Sequence, residues 1–407
     1  MVESVQFDAV ICGAGPSGSA CASLLAEKGC RVLVLEKEKF PRDKPCGDAI
    51  GGKALNVLKE LGLEEELKKK GFLRQSGIVF SSPAGDEAEI PLASDGREMS
   101  GGFVCRRLDF DNIVFSHAKK KCVAREGCEV TDVIFENGKA VGVKTKGKDG
   151  SEHEFRAKLV IGADGTSSVV ARKTGAWKLD PAHTCSAVRA YYTNIVGLRG
   201  NIEVHFLKEC MPGYFWIFPL SDKTANVGVG MLLSDITKKK LNLGKVLEEC
   251  LKNPKFASRF AEAKLESPVR GWSLPLASAH RKCAGNGWIL LGDAASLIDP
   301  FSGEGIGNGM KSAKIAADTL GEKLSGEEIT ESDCLSYESA LWKEIGADIA
   351  SSYNLQKLGR NEWLLNLIIG KAKRSKWVQQ ELAGMIANKE AKKKATDPLF
   401  YLRLLLS

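Results

Sequence analysis

Three clusters of glycine and acid hold the residue types best suited to chemistry. The first, Gly13-Ala14-Gly15-Pro16-Ser17-Gly18, follows the apolar run FDAVIC and precedes an Ala- and Leu-rich stretch over 19–28. Gly29 closes that stretch, and RVLVL at 31–35 runs into Glu36 and Lys37. Strand, glycine turn, helix, strand and acid in this order form a dinucleotide-binding unit. The first glycine permits the tight turn, the second lets backbone approach a pyrophosphate, and the third lets helix pack on strand. The phosphate then meets the positive end of the helix, while Glu36, with Lys37 beside it, is placed for the adenosine ribose. Two later clusters, Gly162-Ala163-Asp164-Gly165 and the run from Gly292-Asp293 through Gly303, Gly305 and Ile306 to Gly309, each follow a short apolar strand.

Two other patterns could serve a reacting centre. Lys44-Pro45-Cys46-Gly47-Asp48 is a turn-forming loop that carries a thiol. Met211-Pro212-Gly213 leads into Tyr214-Phe215-Trp216-Ile217-Phe218-Pro219, where strand alternation puts Tyr214, Trp216 and Phe218 on one face and Phe215 and Ile217 on the other. The chain has 12 cysteines, scattered from Cys12 to Cys334 with no CxxC pair, so they read as reduced and mostly buried thiols. No metal-ligand spacing is present, and no metal is expected.

The elements that must position these residues follow from the patterning. Hairpins are expected over 77–91 and 130–147, the latter turning at Asn137-Gly138, and a helix over 109–120. Residues 184–232 read as an antiparallel sheet, and the chain from about 310 as helical. Nucleotide-binding pieces at the start, middle and three-quarter point imply a discontinuous domain, drawn as 1–75, 100–175 and 280–325. A β-sheet substrate domain is inserted as 76–99 and 176–279, and a helical region covers 326–407. The fold class is thus α/β, a Rossmann-type domain with an inserted antiparallel sheet.

With 407 residues, 43% of them hydrophobic and 27% charged, the composition excludes disordered and collagen-like classes. The net charge of +7 is uneven, since 361–407 holds nine Lys or Arg against four Asp or Glu. That balance excludes a general nucleic-acid surface but leaves a basic tail with apolar residues of its own. The first strand-like run begins at Phe7, which leaves no room for a secretory leader before it. The longest apolar stretch near the end, 363–369, is too short to span a bilayer. A cytoplasmic protein is expected, peripheral at the inner face of the cell membrane.

Taken together, the three glycine and aspartate elements resemble those of flavoproteins of the aromatic hydroxylase and geranylgeranyl reductase type, over roughly the first 320 residues. The resemblance implies FAD as cofactor, with Asp293 against the ribityl and ribose hydroxyls and backbone near Gly305 and Ile306 against the isoalloxazine or its phosphate neighbours. It implies the same for Asp164, Gly292 and Gly303. Arg107, in RRLDFD, matches the family's arginine, with Arg106 as the alternative if the register slips. KPCGD resembles the geranylgeranyl reductase segment whose cysteine lies beside the flavin, which places Cys46, Gly47 and Asp48 at the cofactor. The aromatic run is similar to that branch's P-x-Y-x-W-x-F-P signature, making Tyr214, Trp216 and Phe218 a wall for a long hydrocarbon. One departure is the short stretch EGCEVTDV, where a longer strand pair is usual and the adenine contact is placed near Val130.

The implied reaction is FAD-dependent reduction of isoprenoid double bonds in a prenylated lipid. An isolated trisubstituted alkene is a poor hydride acceptor, so a proton must arrive as hydride does. Cys46 is the side chain expected at that centre, as donor or as the group that positions a donor water, although a thiol is a weak acid for an alkene. A reduced ferredoxin or NAD(P)H is the implied electron donor. The basic and apolar tail, 371–377, 389–394 and 399–406, is a candidate membrane-surface contact. Alternatives sharing the FAD elements are a monooxygenase or halogenase of the aromatic hydroxylase class and a non-catalytic prenyl-binding escort.

Overall fold

The computed structural model describes residues 6–92, 102–387, 400, 403 and 404. Its first sheet is built on parallel strands in the order Trp288–Leu290, Glu152–Gly162, Phe7–Cys12, Val32–Glu36 and Val123–Glu126. The two central strands are buried along nearly their whole length because helices cover one side and a hairpin layer the other. The helix Pro16–Glu27 lies between Phe7–Cys12 and Val32–Glu36 in sequence and packs on the long helix Ile306–Gly326. Parallel neighbours require such a crossover.

Glu152–Gly162 serves two layers. Its first half pairs antiparallel with Lys139–Gly147, and its second half runs parallel to Phe7–Cys12. The hairpin turning at Asn137-Gly138 joins Cys128–Glu136 to Lys139–Gly147. Cys128–Glu136 is nine residues long. The stretch expected to be short is therefore a full strand, started by the turn at Gly127, whose φ is +71°.

The second sheet has the order Lys264–Leu265, Thr184–Thr193, Ala225–Leu232, Tyr214–Pro219, Ile202–His205, Gly77–Ser81, Glu87–Pro91, with Arg270–Pro275 also on Thr184–Thr193. It is antiparallel except where Ile202–His205 meets Gly77–Ser81, which run parallel. That exception arises because the hairpin Gly77–Pro91 comes from a distant part of the chain and docks on the edge of a sheet formed later in sequence. A two-residue strand, Ala49–Ile50, pairs with Phe103–Val104 and holds the end of the Cys46 loop.

Behind the sheets lie helices Glu331–Leu358, Glu362–Ala372 and Lys376–Ala387. Leu365, Ile369, Val378 and Met385 from these helices pack with Ala88, Ile90, Phe206, Phe400 and Leu404. Of the apolar residues in the expected membrane-surface tail, Ala372, Phe400 and Leu404 are buried in this cluster and Trp377 packs against it. Of that tail, 389–394 and most of 399–406 lie outside the described residues. Among the described residues no helix is long and apolar enough to cross a membrane.

Candidate functional site

A cleft of about 1810 Å³ runs between the two sheets. One end is made by the glycine turn after Phe7–Cys12. Gly13 has a φ of +98°, and a Cβ there would stand 2.5 Å from the Ala163 carbonyl oxygen. A Cβ on Gly18 would collide with the Gly13 carbonyl. At Gly15 the nearest atom to such a Cβ is Arg42 Nη2 at 3.9 Å, so this position is open to the cleft. The turn therefore separates two packing glycines from one that leaves backbone bare to a ligand.

The helix Pro16–Glu27 starts here with no side-chain cap and no acid in its first turn. The same is true of Ile306–Gly326, which begins at the cleft beside Gly303 and Gly305. Both helix starts present unpaired amides and positive dipole ends to one cavity, an arrangement suited to anionic groups.

Glu36 is buried and accepts hydrogen bonds from the amides of Ala14 and Glu38, each at 3.0 Å. Its carboxylate oxygens keep further lone pairs at the cleft wall, where Lys37 also lies. Val130 lines the same end with Cys128 and Glu129. Asp164 accepts from the Val169 amide at 2.7 Å through Oδ2, while its buried Oδ1 has no partner among the described residues. Burial raises its pKa above the ordinary carboxylate range. Asp293 faces the middle of the cleft and pairs with Lys44 at 3.1 Å.

Three expected cofactor residues, Ala14, Gly18 and Gly292, lie off the cleft wall. Ala14 contributes its amide to Glu36, Gly18 permits the turn, and Gly292 packs beside Ser17, whose Oγ would be 2.6 Å from a Cβ there. They shape the cleft from behind.

The Cys46 loop also lines the cleft. Arg107, near the start of helix Arg107–Lys119, is buried and in hydrogen-bonding range of the Cys46 side chain. It donates to Asp111 from Nε at 2.6 Å and from Nη2 at 2.7 Å. Arg42 donates to the same carboxylate at 2.7 Å. Burial opposes the charge on Asp111, but the two guanidiniums outweigh it and hold the carboxyl below its usual range. Arg106, the alternative in register, turns outward to Glu266.

The loop is tied to the inserted sheet at three points. Arg189 donates to both Asp43 oxygens at 2.9 and 2.8 Å. Asn226 donates to the Cys46 carbonyl at 2.6 Å and to Asp48 Oδ2 at 2.9 Å, and Tyr191 donates to the same Oδ2 at 2.7 Å. The Asn226 carbonyl in turn accepts from the Trp216 indole at 3.0 Å. Asp48, in left-handed backbone with φ +67°, is fully buried, and its Oδ1 has no partner among the described residues.

Trp216 and Phe218 stand against this loop. A Cβ on Gly47 would lie 3.0 Å from the Phe218 ring. Tyr214, Trp216 and Phe218 line the cleft as one face, while Phe215 and Ile217 enter the core on the other. From the aromatic row the cavity continues between Ile78, Phe80 and Val204 on the sheet and Leu382, Met385 and Ile386 on the helix Lys376–Ala387.

A family model described as an FAD binding domain matches residues 6–340. A digeranylgeranylglycerophospholipid reductase of Methanopyrus kandleri is 32% identical over 352 residues, covering 84% of this chain and 87% of that protein. This chain is a flavoprotein of the geranylgeranyl reductase family. A menaquinone reductase of Mycobacterium tuberculosis is 32% identical over 322 residues, covering 77% of this chain and 76% of the relative. Among solved structures, a geranylgeranyl bacteriochlorophyll reductase-like protein from Thermoplasma acidophilum superposes with a TM-score of 0.82 at 23% identity, over 96% of this chain and 99% of the other. That likeness shows a shared fold.

The flavoprotein is an FAD-dependent oxidoreductase. The cleft fits the cofactor on structural grounds: an open glycine at one helix start, a second uncapped helix start, an acid at the end of the second strand, and buried carboxylate atoms without partners. Sequence reasoning missed Asp111, Asn226, Tyr191 and Arg189. The four-residue spacing of Arg107 and Asp111 on a helix is the only local signal for any of them.

Proposed function

We propose that this flavoprotein reduces the double bonds of geranylgeranyl chains, with 2,3-digeranylgeranylglycerophospholipids as substrates and saturated archaeol-type lipids as products. The observation that carries this reading is the aromatic row standing on the Cys46–Gly47 turn and opening into an apolar arm. Ordinary small-molecule sites occupy roughly 300–1,000 Å³. A cleft of about 1810 Å³ leaves room for a long chain alongside FAD. The names of the Methanopyrus kandleri and Methanocella arvoryzae relatives support the same substrate class.

When bound in its reduced form, FAD supplies hydride. Gly15, Glu36, Asp164, Asp293 and the backbone at Gly303–Ile306 would hold the cofactor across the cleft. Cys46 and Gly47 would form the floor beneath the reacting alkene, with Arg107 fixing the Cys46 side chain. Tyr214, Trp216 and Phe218 would exclude water and align the chain, which lowers the entropic part of the barrier. The reducing equivalents are assigned to a reduced ferredoxin or NAD(P)H, and the lipid is taken at the membrane surface.

Anaerobic incubation of chemically reduced protein with digeranylgeranylglycerophospholipid, followed by mass analysis, tests the reading. Two-dalton increments are expected. A protein that binds FAD but gives no increment with this lipid or any other prenyl compound is not a prenyl reductase.

A further inference from the structure

We propose that Asp48 holds the proton that alkene reduction consumes, an assignment that rests on the reading of the cleft as a prenyl reductase site. Asp48 lines the cleft immediately behind Cys46 and Gly47. Its side chain is arranged unlike that of a structural carboxylate. Oδ2 receives two donors, Tyr191 Oη and Asn226 Nδ2, while Oδ1 is buried with no partner among the described residues. A buried ionised carboxylate with one bare oxygen is costlier than a neutral carboxylic acid in the same place, because burial penalises charge most.

The groups facing Asp48 come from every element around it: Tyr191 and Arg189 on Thr184–Thr193, Asn226 on Ala225–Leu232, Arg107 on its helix, Cys105 just before that helix, and Cys46 in the same loop. Burial pushes the Asp48 carboxyl up to about 6, against the opposing effects of Tyr191, Asn226, Arg189 and Arg107. Burial favours the acid before the proton leaves, and the two donors with the two guanidiniums steady the anion afterwards. A general acid works best when poised in this way near the operating pH. A carboxylic acid is also a far stronger acid than an ordinary thiol, so the proton-holding role falls to Asp48 and leaves Cys46 to shape the floor.

In the step, the O–H bond of Asp48 breaks and the alkene π pair forms a C–H bond with its proton. Hydride from the reduced cofactor forms the second C–H bond at the adjacent carbon. The cofactor is oxidised by two electrons, Asp48 is left as a carboxylate, and solvent returns its proton before the next turnover.

The decisive variant is Asp48→Asn in the FAD-loaded protein. Asparagine tolerates left-handed backbone and keeps an acceptor for Tyr191 and Asn226, so the loop and the flavin spectrum are expected to be unchanged. Single-turnover reduction of a geranylgeranyl lipid is expected to slow by about 100-fold or more with little change in KM. The wild-type rate is expected to fall as pH rises through about 6, because the acid must be protonated, and this limb is expected to vanish in Asp48→Asn. Tyr191→Phe removes a donor to the anion and is expected to move the limb to higher pH. Independently of turnover, ¹³C spectra of aspartate carboxyls are expected to show one signal titrating near 6 that Asp48→Asn deletes. Undiminished turnover in Asp48→Asn, or a carboxyl titrating in the ordinary range, overturns the assignment alone. Absence of any two-dalton increment from wild-type protein overturns the prenyl-reductase reading, and this assignment with it.

Discussion

Two buried carboxylates, Glu203 on the inserted sheet and Asp48 on the loop tied to it, are treated in opposite ways. Glu203 accepts from Arg259 Nη1 and Nη2, each at 2.7 Å, and stands 3.1 Å from His205 Nε2. His205 Nδ1 lies 2.6 Å from Ser81 Oγ, so serine, histidine and glutamate follow one another as in a hydrolase triad. None of the three lines the cleft, and the imidazole is packed against the rings of Phe215 and Phe256. Asp48 has only one of its two oxygens paired, and it borders the cleft. A full set of partners secures Glu203 in the sheet, whereas Asp48, at the cleft wall, keeps one buried oxygen without a partner among the described residues.

Charge follows the same division. Burial opposes the ionised form of Glu203, but Arg259 and His205 overcome it and hold the carboxyl below its usual range. Burial likewise drives His205 below the ordinary imidazole range despite Glu203. Asp48 moves in the other direction, and burial prevails.

Removing Glu203 gives the largest effect expected from breaking this contrast. Glu203→Ala leaves the Arg259 guanidinium without its carboxylate and is expected to cost about 3–4 kcal/mol in denaturant unfolding. The FAD content of the folded fraction and the pH profile of reduction should not move. A loss of turnover with intact folding would place the Ser81–His205–Glu203 set in the chemistry.

Next in size is the stability change in Asp48→Asn, and its sign is opposite. The folded protein holds the Asp48 proton up to about 6, whereas an ordinary carboxyl releases it near 3.8. Wild-type stability therefore declines between those values as pH rises, by up to about 3 kcal/mol, and is flat above them. Asparagine removes that decline, so thermal scans should show the Tm advantage of Asp48→Asn growing from pH 4 to pH 7. A variant that is less stable than wild type at pH 7 would contradict an acid kept at the expense of stability.

Ser81→Ala gives the smallest effect. It removes one neutral partner of His205 and is expected to cost about 1 kcal/mol, with cofactor content and reduction unchanged. Any esterase activity of the wild type that Ser81→Ala abolished would overturn the structural role of this set.

Much of the cofactor end was legible because its meaning is local. The spacing of Gly13, Gly15 and Gly18, with Glu36 after the next strand, specifies a turn, a helix start and an acid within one short unit. The alternation of Tyr214, Trp216 and Phe218 likewise placed three rings on one face, since strand geometry has a period of two. Arg107, singled out from the sequence, lines the cleft, but the reason it can be buried, Asp111 one helical turn later, was not singled out.

The proton-holding arrangement was not legible. Asp48 reads as the end of a five-residue loop, and nothing near it in sequence indicates burial. Its partners Tyr191 and Asn226 are 143 and 178 positions away, and Arg189 reaches Asp43 across 146. The packing of the C-terminal region was not legible for a related reason: nothing along the chain shows that the Glu87–Pro91 strand lies beneath its apolar residues.

Short-range pattern thus determined the cofactor class, the glycine turns that open two helices at the cleft and the aromatic face along it, because each depends on dihedral preference and residue period within a single element. Tertiary structure decided which carboxylate is closed and which is left open. That outcome depends on burial and on donors brought from distant strands, and neither desolvation nor partner count is encoded by a residue's neighbours along the chain.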